Sequence, residues 1–127
     1  MQLVTPIADA LTRYLDLSAY QLDLTAQNMA NVDTPGYRTV GFDFAAEMRR
    51  SLTGLASADG NGPEEAPDNN PRAGPVGGLI ERPDGNDVSM DREGMQMAEA
   101  QLEFRAGVEL LKNEFTRVLD AIHEDQK

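Results

Sequence analysis

The chain has 127 residues, enough for one domain, and carries a net charge of −11 with a pI near 4.3. That charge argues against nucleic acid and against an anionic membrane surface, because both would repel it. Aromatics make up only 6%, there is no Trp and no Cys, and the mean hydropathy is −0.47, so disulfides and thiolate metal sites are excluded and an internal core of ordinary density would be small.

No segment approaches the roughly 20 apolar residues of a membrane span. The opening Met1-Gln2-Leu3-Val4-Thr5-Pro6 lacks the basic patch and apolar run of a cleavable secretory signal. Composition alone therefore reads as a soluble, cytoplasmic chain. A thin core suggests an elongated molecule whose apolar surface is covered by neighbours.

The first element spans about residues 5–31. Thr5 followed by Pro6 is a helix-start signal. Ile7, Leu11, Leu15, Leu22, Ala26 and Met29 recur at helical spacing, Leu17 and Leu24 widen the stripe, and Tyr14 and Tyr20 add bulk near it. Helix one ends in Asn28-Met29-Ala30-Asn31-Val32-Asp33-Thr34-Pro35-Gly36-Tyr37. Asn tolerates the left-handed geometry that closes a helix. Pro35-Gly36 fits the two central positions of a type II turn, with Gly36 at positive φ. Asn28 and Asn31 are three apart, so their amides share a face and could lock this end against another helix or subunit.

Val40, Phe42 and Phe44 alternate with Gly41 and Asp43, which predicts a short extended segment, and Ala45–Leu52 predicts a short helix. Residues 54–88 then turn rich in Gly, Pro, Asn and acidic residues, as in Gly60-Asn61-Gly62-Pro63-Glu64-Glu65. Such a stretch buries too little to offset its chain entropy and predicts a flexible loop, ordered at most around Leu79 and Ile80.

A second long helix is expected over about 90–123, with Ser89 or Asp91 as its cap and Asp91 and Glu93 at the positive end of its dipole. Met97, Gln101, Phe104, Val108, Leu111, Phe115, Val118 and Ile122 form a seam whose steps alternate four and three. Leu102, Leu110 and Leu119 lie outside it, so a single two-stranded contact would leave leucines exposed, and more than one neighbour is implied. The fold class is all-α: two long terminal helices packing as a coiled-coil-like pair, with a short extended segment and a loop-rich middle. The regions divide as 1–53, 54–88 and 89–127.

Catalysis finds no support in these patterns. His123 is the lone histidine, near the end of the last helix, where a solvated or capping role is the simple reading. Asp84-Gly85-Asn86-Asp87 lacks the spacing and distal Glu of a calcium loop, and Gly74-Pro75-Val76-Gly77-Gly78 has no Lys-Ser/Thr to make a phosphate loop. The methionines read as packing residues. No cofactor, metal or small-molecule substrate is expected.

Asn28, Ala30, Asn31, Thr34, Gly36 and Tyr37 fit an Asn-x-Ala-Asn-x-x-Thr-x-Gly-Tyr pattern. This stretch resembles the N-terminal signature of the flagellar rod, hook and hook-associated protein family. Short length, Phe42-Asp43-Phe44 soon after the motif, Gly85-Asn86-Asp87-Val88-Ser89-Met90-Asp91 ahead of the last helix, and Met97-Ala98-Glu99-Ala100-Gln101-Leu102-Glu103-Phe104 within it are similar to members of the proximal rod. The resemblance covers both terminal regions and leaves the middle uninformed.

It implies a structural subunit that assembles through its terminal helices into the axle transmitting motor torque. It also implies partners: copies of itself, FlgC-like and FliE-like rod proteins, and the type III export apparatus. Such subunits leave the cytoplasm unfolded and uncleaved, which overturns the cytoplasmic reading. On this view Ile7, Leu11, Leu15, Leu22 and Met29, with Met97, Phe104, Val108, Leu111, Phe115, Val118 and Ile122, are the assembly surface. The alternative is a soluble helical adaptor or chaperone that binds partner helices without polymerising.

Overall fold

The computed structural model describes residues 5–57 and 70–124. Three helices, α1 (Pro6–Ala30), α2 (Phe44–Ser57) and α3 (Met90–Glu124), account for most of it, with two-residue strands β1 (Val40–Gly41) and β2 (Gly74–Pro75) pairing antiparallel. Both long helices begin where the sequence signals a start. Thr5 caps α1, its Oγ1 accepting from the Ala8 amide at 3.1 Å, with Pro6 in the first turn. Ser89 starts α3: its carbonyl accepts from the Glu93 amide at 2.9 Å, and Asp91 lies inside the helix.

α1 and α3 form an antiparallel hairpin. Thr5 donates to Glu114 at 2.8 Å near one end, Gln21 donates to Gln96 at 3.3 Å midway, and Asn28 donates to Glu93 at 2.9 Å at the other end. The side of α3 turned to α1 is set by Glu93, Ala100 and Gly107, all buried and seven apart. Gly107 is the point of closest approach. A Cβ there would stand 2.8 Å from a Leu15 methyl and 2.9 Å from the Tyr14 ring.

The apolar seam of the sequence coincides only in part with the line facing α1: Leu111 and Val118 lie within roughly 20° of Ala100 round the helix and are half-buried. At 3.6 residues per turn, Met97, Val108 and Phe115 lie roughly 60–80° round the helix from Ala100. Bulk identified the seam, whereas close helix approach selected the small residues Ala100 and Gly107.

α2 runs longer than the expected Ala45–Leu52, because Asp43 caps it one residue upstream: its Oδ1 accepts from the Ala46 amide at 2.9 Å. Phe44 thus belongs to α2, and the extended segment is shorter than the alternation predicts. The rings of Phe44 and Phe42 sit 5.4 Å from Tyr14 and Tyr20 respectively, fastening β1 and α2 to one side of α1.

Residues 70–88, where the sequence predicts loop, form an arm pinned to both helices, while 58–69 lie outside the described residues, and Gly60–Glu65 with them. Leu79 is half-buried there, but Ile80 is not an anchor. Ile80 is 91% exposed, whereas Asn86, Asp87 and Val88 are buried. Hydrogen bonds rather than apolar burial offset the ordering entropy here.

Candidate functional site: the helix-closing motif and the exposed helix flanks

Asn28 is the hub of the junction between the two long helices. Its amide donates to the Glu93 carboxylate at 2.9 Å and to the Val40 carbonyl at 2.8 Å. Its oxygen accepts from the Val40 amide at 3.0 Å and from the Tyr37 hydroxyl at 3.1 Å. All four bonding positions of the amide are used, in a site that is 1% exposed. Glu93, equally buried, is completed by Arg92. Burial, then the nearby charge of Glu93, raises the Tyr37 hydroxyl above its ordinary pKa, so it stays a donor.

Asn31 does different work from Asn28, although the two share a face in the sequence. It caps α1, donating to the Gln27 carbonyl at 2.8 Å, while its oxygen accepts from the Thr34 hydroxyl at 3.0 Å. The Tyr37 amide donates to the Thr34 carbonyl at 3.2 Å and Gly36 has φ of 73°, as a type II turn requires. Ala30 is exposed and makes no part of this junction.

Gly36→Val is expected to cost at least the 1–2 kcal/mol of left-handed geometry, about that much in thermal unfolding. Open space surrounds a Cβ at Gly36, so backbone strain alone is tested, and an unchanged melting curve would refute it.

Sequence reading missed the other half of this junction. Asn86 donates from one amide to the carbonyls of Asn31 at 2.9 Å and Thr34 at 2.8 Å, and accepts from the Val88 amide at 2.8 Å. Asp87 accepts from the Thr39 amide at 2.6 Å and pairs with Arg38 at 3.4 Å. At the start of the arm, Glu47 accepts from Arg50 and from the Arg72 amide, the latter at 3.2 Å. The one available sequence signal was the polar run Asp84–Asp87 directly ahead of α3.

Burial pushes both carboxylates up, but hydrogen bonds and arginine charge outweigh it. Arg50 and the Arg72 amide hold Glu47 below its ordinary range, and the Thr39 amide with Arg38 does the same for Asp87. A depressed folded pKa means stability present above the ordinary carboxylate range and lost as pH falls through the depressed value. Lowering the pH through the ordinary carboxylate range and on below it should therefore progressively loosen the arm. Hydrogen exchange at the Thr39 and Arg72 amides reads this directly, and undiminished protection at such pH would count against it.

The proposed surface residues occupy three settings. Leu11, Leu15, Leu22, Met29, Met97, Val108, Leu111 and Val118 are half-buried along the hairpin. Ile7, Phe115 and Ile122 are exposed at 57%, 50% and 43%, and Phe104 lies at the margin with 36%. Gln96, Glu103 and Leu110, on the opposite side of α3, line hollows together with Phe42, Phe44 and Met48. One side of the hairpin is thus covered by β1 and α2, while the side of Met97, Val108 and Phe115 has no covering element among the described residues. α3 also continues ten residues past Glu114, with Phe115, Leu119 and Ile122 exposed.

The interior is as notable for polarity as the flank is for the lack of it. Buried apolar side chains are Ala8, Leu17, Leu24, Val88 and Ala100, and buried polar ones are Ser18, Thr25, Asn28, Thr39, Glu47, Asn86, Asp87 and Glu93. Such networks fix register and crossing more than they add stability. Among the described residues no group of His, Asp and Glu is placed to hold a metal ion, and no helix is long and apolar enough to cross a membrane.

No family model matches the chain. Curated relatives do. It is 30% identical to the flagellar basal body rod protein FlgB of Salmonella typhimurium, over 90% of this chain and 94% of that protein. It is 29% identical to the protein of the same name from Escherichia coli, with the same coverage. The Buchnera aphidicola FlgB is 26% identical over 83% of this chain and 85% of its own length. With near-complete coverage on both sides and the helix-closing motif in place, the chain belongs to the flagellar basal body rod protein FlgB family.

Proposed function

We propose that the chain is a structural subunit of the flagellar basal-body rod, held in the assembly by the apolar flanks of α1 and α3, and that it helps transmit motor torque. The observation that carries this reading is the uncovered flank: Phe104, Phe115, Leu119 and Ile122 are exposed on a helix whose own partner contacts use Glu93, Ala100 and Gly107. A run of exposed bulky apolar side chains of that length marks an interaction surface. Membership of the FlgB family points to the rod as the place where it is covered.

The partners in this reading are copies of the chain and other rod proteins, FlgC-like and FliE-like. Passage through the type III export apparatus, unfolded and without a cleaved signal, suits a molecule whose buried residues are so largely polar. The division into 1–53, 54–88 and 89–127 keeps a role here: two assembling ends and a middle whose latter part braces their junction. The role asks for no cofactor and no chemistry.

Phe115→Asp is the test. Phe115 lies past the Thr5–Glu114 contact and is half exposed, so the variant should fold as well as the parent. A charge at the centre of a buried helix contact costs several kcal/mol, enough to abolish incorporation into basal bodies and motility. Normal swimming by that variant would count against the reading.

A further inference from the structure

On the side of α3 opposite the uncovered flank, a hollow of about 180 Å³ is lined by Gln21, Phe42, Phe44, Gln96, Glu99 and Glu103. One wall is aromatic. The Phe42 and Phe44 rings stand 6.1 Å apart with their planes 33° from one another, and each rests against a tyrosine of α1, Tyr20 and Tyr14 respectively. The facing wall is acidic: Glu99 and Glu103 stand one turn apart on α3, and neither carboxylate has a hydrogen-bond or ion-pair partner among the described residues. Gln21 donates to Thr25 and to Gln96, both at 3.3 Å, so the group it has left to offer is its oxygen, another acceptor.

Two like charges at this spacing repel one another. Burial, and then the charge of Glu99, raises the Glu103 carboxyl above its ordinary pKa, and the charge of Glu103 adds to burial in raising the Tyr14 hydroxyl. The chain's own arginine on this side does not relieve the repulsion, because Arg92, in the adjoining hollow, is paired with Glu93. Aromatic faces set opposite unpaired carboxylates suit a cation. A metal ion is a poor fit: phenyl rings are not ligands, and no third acid or histidine among the described residues joins the two carboxylates. A guanidinium suits both walls. Its plane stacks on a ring while its N–H groups, donors throughout, bond the carboxylates.

We infer that the hollow between Phe42, Phe44, Glu99 and Glu103 receives an arginine side chain of a neighbouring protein chain. The presence of that neighbour rests on the rod reading, to which this adds a contact on the other side of α3 from the apolar flank. An arginine tethered to a chain already docked is favoured over a free one, because its binding is then an intramolecular event. The net charge of −11 further favours a neighbour whose facing surface is basic.

The test titrates N-acetylarginine methylamide into the full chain, followed by NMR, beside its citrulline counterpart, which has nearly the same shape and no charge. The arginine probe alone gives saturable shifts centred on Phe42, Phe44, Glu99 and Glu103, and Glu99→Gln with Glu103→Gln weakens its binding about tenfold. That double variant removes a repulsion and no bond, so it folds as the parent does. Equal shifts with the citrulline probe, shifts spread evenly over the acidic surface, no saturable shift, or binding unchanged in the double variant overturn the site. In bacteria, the double variant enters basal bodies several-fold less than the parent, and entry at the parental level overturns the neighbour's arginine. Absence of the parent chain itself from basal bodies overturns the rod reading instead, and leaves the titration result standing for the hollow.

Discussion

Replacing Asn28 by alanine should destabilise the hairpin by about 1–3 kcal/mol or more, the cost of leaving buried hydrogen-bonding groups, the charged Glu93 among them, without a partner. The loss is not one hydrogen bond but four. Glu93 would keep only Arg92, both backbone groups of Val40 would lose their side-chain partner, and the Tyr37 hydroxyl would point at nothing. Unfolding free energies of small domains lie at about 5–15 kcal/mol, so this loss is a sizeable fraction of the whole and should markedly lower the unfolding temperature. Helical circular dichroism against temperature reads it out.

A pair of substitutions at the same site separates bonding from packing. Asn28→Asp sets a second carboxylate against Glu93 and removes both donors, so it should be at least as damaging as alanine. Adding Glu93→Gln restores a donor facing the new carboxylate and should recover part of the stability, giving a coupling of about 0.5–3 kcal/mol in a double-mutant cycle. Additive effects would mean that the Asn28–Glu93 bond does not join the helices.

The second large effect belongs to glycine on α3. Gly107→Leu should destabilise by about 1–3 kcal/mol, the range for overpacking, despite the better helix propensity of leucine. Even the first carbon of a side chain would come within 2.8 Å of Leu15 and 2.9 Å of Tyr14, so α1 and α3 must separate to admit the rest. Gly94 supplies the control on the same helix. A Cβ there meets nothing within 4 Å, so Gly94→Ala should stabilise by about 0.5–1 kcal/mol through propensity alone. If both variants move the unfolding midpoint in the same direction, Gly107 is not the crossing point.

These two sites also mark where sequence reading reaches and where it stops. Period and punctuation carried the long helices: Thr5-Pro6 and Ser89 start them, and Asn31 closes α1 with the turn that Pro35-Gly36 foretells. Asn28 was recognisable as important from its motif, which also holds its partner Tyr37, but its other partners stand twelve and sixty-five residues away and leave no local trace. Glu93 read as a carboxylate suited to a helix dipole; it does lie in the first turn of α3, and it is also buried against Asn28, which the sequence did not announce. The arm of residues 70–88 looked too polar to order because its anchors, Glu47, Asn86 and Asp87, act through hydrogen bonds that no apolar period announces. The seam was legible as an apolar stripe, though not in how it divides, with Leu111 and Val118 in line with Ala100 and Phe115 turned to the exposed flank. Heptad spacing reports bulk, and the close approach at Gly107 depends on its absence.

The division of labour is then clear in physical terms. Polar latches join the two helices of the hairpin, and in the proposed reading the apolar flank is covered by other chains. The most direct test is a density map of basal bodies isolated from cells carrying this chain. The account predicts the α1–α3 hairpin within the rod, with Phe115, Leu119 and Ile122 packed against helices of adjacent subunits. A rod without the chain, or a hairpin in the rod whose Phe115 flank faces water, would contradict it.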